Sequence, residues 1–526
     1  MDSAPTRRTA QTDMTNMTDM TDMTDAELYA VFQSPYARLP EPTKKVIKIR
    51  TRALLAEKAG ELVVIPEGEM LVADGRILAV GGKLTHHVDE TLDWTDSFVA
   101  PGFVDLNALG DIDHHLIWSE QKRPEKLFWS KDYVEGGTEE SMTAGEEAFK
   151  SLFAYVQLLR RGVTSACPIT CTYYKSAGET YGEIAAAAKH AAHLGLRAWL
   201  GVGFLGAGHV WDEEAGRRIV MPLPDDGRPG FEAAKRFVGD FAGYGGGLVT
   251  TMMTPERIEL QSDAVLREVG DFCREHDLLL KLHAAQSEFE WRWTRETLDC
   301  TPVEHLERLE LLNDRLLLPH AAWTTGSAFT DIPGDADLVK LARAGTAVIH
   351  CPLVYGRTGA SLDNFSRYKA AGIRMTMGSD TFPPDPFMIM RVGQMFALSH
   401  TGGNVENARF IDFWDAYTRG GADALRRPDL GRLTEGARAD FIRIPMTNPW
   451  FGTFDDPVRT LAMAAAATDI TDVWVEGRPV VEAGRVLGIR PEAMSALQAA
   501  GERYHEKLKA GFVGRSALKD AVPFWD

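Results

Sequence analysis

Four short segments, far apart in the chain, place metal-binding or proton-moving side chains at the end of an apolar run. They are PGFVDLNALGDIDHH (101–115), LLLKLHAAQSE (278–288), LLLPHAAW (316–323) and IRMTMGSD (373–380). A neutral imidazole is a ligand for a divalent ion. A carboxylate beside such an ion can both coordinate it and accept a proton, because the cation lowers the pKa of adjacent water towards about 7. His283, His320 and Asp380 are therefore the residues to explain, and hydrolysis by activated water is the chemistry they would serve. Strand alternation puts Lys281 and His283 on one face of LLLKLHAAQ and Leu280 and Leu282 on the other. Each residue also has an ordinary reading: a buried histidine as hydrogen-bonded core, and an aspartate after Gly-Ser as a helix N-cap or loop carboxylate.

Side chains this far apart meet only if the elements beneath them converge. Between Asp96 and Arg432, strand-like runs alternate with helical stretches, as in parallel β-α units. Eight runs can be counted, at 98–107, 163–170, 197–205, 247–254, 278–285, 316–322, 347–353 and 373–380. Amphipathic segments such as EEAFKSLFAYVQLLRRG and DAVLREVGDFCREHD lie between them. The expected fold is α/β, a (β/α)8 TIM barrel over 96–432, whose active site is built at the C-terminal ends of its strands. On either side, 45–95 and 433–490 share alternating short strands with Gly-Arg turns, read as antiparallel and as two parts of one small β-sandwich domain. A Met-Thr-Asp repeat within residues 1–26 reads as a disordered tail, and 491–526 as a C-terminal helix and tail.

Composition narrows the function further. The chain has 526 residues, 57 Lys+Arg against 75 Asp+Glu and a formal charge of -18, with no basic stripe to neutralise phosphates, so nucleic acid and anionic membrane are not expected partners. Five scattered cysteines (Cys167, Cys171, Cys273, Cys300, Cys351) do not form a disulfide framework, and neither an export signal nor a membrane span is apparent. A cytoplasmic, homo-oligomeric enzyme with a small-molecule substrate is the expectation.

The order PGFVD, GVTS, two His-bearing strands, HCP, GSD and a closing GARADF…VWVEGRPVVEAGRV resembles the metal-dependent amidohydrolases, the superfamily of triazine hydrolases, cytosine and guanine deaminases and dihydroorotases. The resemblance implies hydrolysis of a non-peptide C–N bond with a divalent ion, zinc first, with manganese, cobalt or iron as alternatives. Two departures qualify it. Where the superfamily usually reads PGFVDxHxH, this chain has Asn107 and Leu109, and where related deaminases carry HxxE it has His283-Ala-Ala-Gln286. An asparagine at the first position is similar to phenylurea hydrolases and molinate hydrolase, which implies an amide, phenylurea or carbamate substrate and a xenobiotic-degrading role. Gln286 cannot transfer a proton, which also argues for a carbonyl substrate over a heterocycle. The alternatives are an aminohydrolase or dechlorinase of a heterocycle, for which Glu288 or Glu290 would have to supply the missing acid, and a catalytically silent ligand-binding barrel.

The expected roles follow. His283, His320, Asp380 and Asn107 bind the metal; Asp380 and His320 are catalytic; Gln286, His350 and Trp118 touch substrate. Asp111, Asp113, His114 and His115 are candidate replacements for the missing first-strand pair, and Trp118, Trp129 and Tyr133 for an apolar lid. Cys351 is read as packed rather than reactive, and Cys167 with Cys171 as no structural zinc site.

Overall fold

A computed structural model describes residues 23–112, 142–170, 178–212, 214–452 and 456–512. Asp113, His114, His115, Trp118, Trp129, Tyr133 and Cys171 lie outside the described residues, as does the repeat as far as residue 22. Residues 23–26, expected as part of the tail, are among the described residues. A helix spans Asp25–Ala30, opened by a reciprocal capping box between Thr24 and Glu27 and anchored by the buried Leu28.

The barrel strands are β1 (Phe103–Leu109), β2 (Val163–Ile169), β3 (Arg197–Leu200), β4 (Val249–Thr251), β5 (Leu280–Lys281), β6 (Leu316–Pro319), β7 (Ala347–His350) and β8 (Arg374–Met377). Two parallel four-stranded sheets, β1 to β4 and β5 to β8, make the wall. They join through a parallel bridge between Met253 and Leu280, and the other seam is closed by the Asp380 N–H donating to Asn107 O at 2.8 Å. Residues near the first and last strand ends are thus hydrogen-bonded neighbours. The helix Asp263–Glu275 shows why the outer layer forms: Ser262 caps it by accepting from Val265 N, and Val265, Leu266, Val269 and Cys273 share its buried face.

The run 98–107 is divided at Gly102. Its first part ends the strand Glu90–Pro101 of the small domain, and the second is β1. The small domain draws on both chain ends, because Phe441–Pro445 pairs antiparallel with Glu90–Pro101. Its strands bond as one continuous nine-stranded sheet. The pairing is not antiparallel throughout, since Ile47–Lys58 runs parallel to Glu90–Pro101. Ile49, Met70, Trp94, Phe441 and Trp474 share its core cluster. Among the described residues no helix is long and apolar enough to cross a membrane.

Two buried histidines outside the strand-end cluster give the fold a pH dependence. His190 Nδ1 lies 3.0 Å from Tyr36 Oη and Nε2 lies 3.1 Å from Ala148 O, a donor and an acceptor that suit a neutral ring. Burial pushes His190 down to about 4 and His350 to about 3. Their folded pKa values lie below the unfolded one, so the stability they contribute is complete above about pH 6.5 and is lost as pH falls towards 4 and 3. The metal-free protein should lose about 1.4 kcal/mol per such histidine for each pH unit below 6.5. Urea unfolding at pH 7 and 5.5 checks this. The His190→Gln/His350→Leu variant should show a shallower fall than wild type, and equal slopes would count against it.

Candidate active site

β5 continues past Lys281 through isolated bridges from Arg257 to His283 and from Ala284 to His320, so the strand ends stay in register up to the mouth. His283 is buried, and its Nδ1 sits 3.0 Å from the carbonyl oxygen of Glu256. With Nδ1–H donating to that carbonyl, Nε2 keeps the lone pair. The His283 and His320 ring centroids are 5.4 Å apart.

β6 ends at Pro319, and His320 turns into the left-handed region with φ 69°, followed by Ala321 at 44°; Asp380 does the same after β8, with φ 49°. Such conformations cost of order 1 kcal/mol or more and persist only where neighbours fix them. His320 N donates to Ile349 O at 2.9 Å, and Asn364 Nδ2 donates to His320 O at 3.0 Å. Before Asp380, the buried Asp105 carboxylate accepts from Ser379 N at 3.1 Å, from Asn107 N at 3.1 Å and from Tyr417 Oη at 2.9 Å. Gly378 is a glycine because a Cβ there would stand 2.7 Å from Asn107 Cβ and 2.9 Å from Ile349 Cγ2. The GSD motif thus lets β8 close tightly on β1.

These constraints bring His320 Nε2 to 3.4 Å from Asp380 Oδ2. Both His320 ring nitrogens and Asn107 Oδ1 are buried without a hydrogen-bond partner. Leaving a buried polar atom unpaired costs about 1–3 kcal/mol, which a cation between them would offset. Burial drives His283 well below the ordinary histidine range and His320 to about 3, so both are neutral imidazoles, the form that binds metal. One atom each from His320, Cys351 and Asp380 lies within 4.8 Å of the others. The donors His320, Cys351 and Asp380 are of types that fit a divalent ion, and the buried His283 and Asn107, both expected ligands, lie beside them.

Beside the cluster, Gln286 is held from three directions. Arg257 donates to its Oε1, Tyr355 Oη donates to its backbone carbonyl, and its N–H donates to Glu290 Oε2 at 2.8 Å. Arg257 and Tyr355 are site residues that sequence reasoning did not find. Glu290, fully buried, also accepts from Ala285 N, and burial raises its carboxyl well above the ordinary glutamate range. Glu290 braces the loop from behind, and Glu288 pairs with Arg292 at the exposed start of the helix Glu288–Leu298. Lys281 is a strut, donating to Cys167 O at 2.6 Å and Pro168 O at 3.2 Å. A cavity of about 20 Å3, room for about one water, lies between Lys281, His283, Glu179 and Glu256.

His350 does not reach this mouth. Along β7, Ala347, Ile349 and Cys351 share the inner cluster, and His350 points the other way, 5.3 Å from the Phe365 ring and 6.3 Å from that of Phe413. The expected substrate contact is corrected to a packing position. Cys351 takes the inward place, with Sγ 3.8 Å from Asn107 Nδ2. The alternation of AVIHC was the signal that could have found it. Trp118, the other expected substrate contact, is among the residues not described. Asp111 lines a separate cavity of about 440 Å3 with Leu109, Phe153, Phe382 and Leu497, which includes none of His283, His320 or Asp380.

The amidohydrolase family model matches residues 98–480, which takes in the whole barrel and most of the second part of the small domain. The chain belongs to the amidohydrolase family. It is thereby a hydrolase acting on C–N bonds other than peptide bonds. This amidohydrolase is 24% identical over 428 residues to a 5'-deoxyadenosine deaminase of Methanosarcina mazei, covering 80% of this chain and 90% of that one. With a 5-methylthioadenosine/S-adenosylhomocysteine deaminase of Aquifex aeolicus it shares 23% identity over 468 residues, covering 85% and 96%. Among solved structures, the fold is similar to a zinc-bound adenosine deaminase from Xanthomonas campestris, with TM-score 0.69, 18% identity and coverage of 89% and 100%. It is also similar to a zinc-bound atrazine chlorohydrolase from Arthrobacter aurescens, with TM-score 0.69, 19% identity and coverage of 86% and 100%. These relatives are deaminases and a chlorohydrolase, and the expected phenylurea, carbamate and xenobiotic terms find no support in them.

Proposed function

We propose that this amidohydrolase is a zinc-dependent aminohydrolase that displaces an amino or comparable leaving group from a ring carbon of a small nitrogen heterocycle. The observation that carries the hydrolytic reading is the set of buried, unpartnered polar atoms on His320 and Asn107, with His320 Nε2 3.4 Å from the Asp380 carboxylate. The heterocycle rests on the deaminases that match this chain over four-fifths or more of its length.

When bound, the metal supplies Lewis acidity that makes water a nucleophile near neutral pH. Asp380 accepts the proton as water attacks the ring carbon and passes it on to the leaving group, acting first as base and then as acid. The neutral His320 ring, 3.4 Å from the Asp380 carboxylate, orients the attacking water beside that base. Because Arg257 occupies Gln286 Oε1, the amide of Gln286 presents its NH2 as a donor and orients a ring nitrogen or a carbonyl without transferring a proton.

The same residue supports a second reading. Attack on a heterocycle gains from an acid that protonates the ring, and Gln286 is not one, whereas hydrolysis of an amide, phenylurea or carbamate has no such need. The test is Gln286→Glu beside wild type on aminotriazines, adenosine-type nucleosides, phenylureas and carbamates at neutral pH. Wild type should release ammonia from a heterocycle, and Gln286→Glu should raise that turnover about tenfold, within the range of general-acid effects. Turnover confined to the carbonyl substrates in both proteins would establish the second reading instead.

A further inference from the structure

Leu109 has no donor atom and Asn107 offers a single carbonyl oxygen, so β1 leaves the metal centre short of ligands. Just past β7, Cys351 brings a donor beside that gap, its Sγ 3.8 Å from Asn107 Nδ2. We infer that Cys351 is a thiolate ligand of the metal, completing the centre with His320 and Asp380 on the side where β1 contributes little. This rests on the reading of the protein as a metal-dependent hydrolase.

Three observations carry it. Cys351 Sγ, an imidazole nitrogen of His320 and a carboxylate oxygen of Asp380 lie within 4.8 Å of one another. Donor atoms around a tetrahedral ion with bonds of about 2.0–2.3 Å sit roughly 3.3–3.8 Å apart, so a small inward movement of these side chains closes the set. The thiol is also fully buried, inward-facing and poorly engaged: its contacts are Ile349 O in its own chain segment and the Asn107 amide, each at 3.8 Å. Independently, the His320 ring is fully buried with neither nitrogen hydrogen-bonded, so the site points to a ligand without reference to the cysteine.

Asn107 acquires a defined place in this arrangement. Its Nδ2 donates to Sγ, as an outer hydrogen bond to a coordinated sulfur would, and its unpartnered Oδ1 remains for the ion. On binding, the S–H bond breaks, a sulfur–metal bond forms and the proton leaves to solvent. The thiolate and the Asp380 carboxylate together balance the charge of a divalent ion. A sulfur donor biases the centre towards zinc or cobalt and away from magnesium or calcium.

The test is a titration of metal-free wild type, Cys351→Ser and a Cys167→Ser control with cobalt chloride, followed by absorbance and by equilibrium dialysis. Wild type and Cys167→Ser should bind one equivalent and develop a near-ultraviolet thiolate-to-cobalt charge-transfer band. Cys351→Ser should lack the band and bind cobalt at least about tenfold more weakly, with the metal-free thermal midpoint of wild type. X-ray absorption on zinc-loaded wild type needs no variant and should show a sulfur neighbour at about 2.3 Å. Stoichiometric metal with no charge-transfer band and only nitrogen and oxygen neighbours would overturn the cysteine ligand and leave the metal-dependent reading standing. Failure to bind either ion would overturn both.

Discussion

Asp380→Asn should lower kcat by at least about 100-fold with little change in KM, because general acid–base catalysis by one positioned group contributes about 10²–10⁴-fold. The substitution keeps the shape of the side chain but removes full negative charge and the capacity to accept a proton. The backbone should tolerate it: Asp380 sits at φ 49°, a region asparagine adopts about as readily, and its N–H bond to Asn107 O does not involve the side chain. An unchanged thermal midpoint beside lost turnover would assign the loss to chemistry. Activity within about tenfold of wild type would remove Asp380 from its role.

His283→Ala should act earlier in the sequence of events, on metal content. A lone-pair nitrogen fixed by the Glu256 carbonyl is a large share of a site whose first strand offers one oxygen. After gel filtration without added metal, the variant should retain less than about half an equivalent of zinc and lose at least about 100-fold in kcat/KM, since even removal of a partner outside the coordination shell costs 10–100-fold. Excess zinc should restore part of the rate, as mass action requires. Full occupancy in the variant would place His283 outside the coordination shell.

Strand ends with a histidine or aspartate after an apolar run were readable in the sequence because period-two burial and position at a barrel mouth are local signals. His283, His320 and Asp380 are the result, along with the eight strands beneath them. The small domain was readable for the same reason, but its pairing was not: the parallel alignment of Ile47–Lys58 with Glu90–Pro101 depends on a long connection that local alternation cannot see. His350 was read as a substrate contact because residue chemistry was weighed ahead of the strand's alternation, which sets which of two neighbours faces inward. Arg257 and Tyr355 were beyond reach, since their contact with Gln286 joins three segments far apart in sequence and leaves no periodic trace in any one of them. Gln286 directed the sequence reading towards a carbonyl compound, whereas relatives that match over four-fifths of the chain are deaminases.

In the proposed centre one divalent ion sits where β5, β6 and β8 end, and the hydrolysis depends on it. Anomalous diffraction at the zinc edge from crystals of zinc-loaded protein tests this most directly. A single strong peak between His283, His320 and Asp380, absent after chelation, is the predicted result. No peak, or a peak only at a site away from these residues, would rule out a metal centre there.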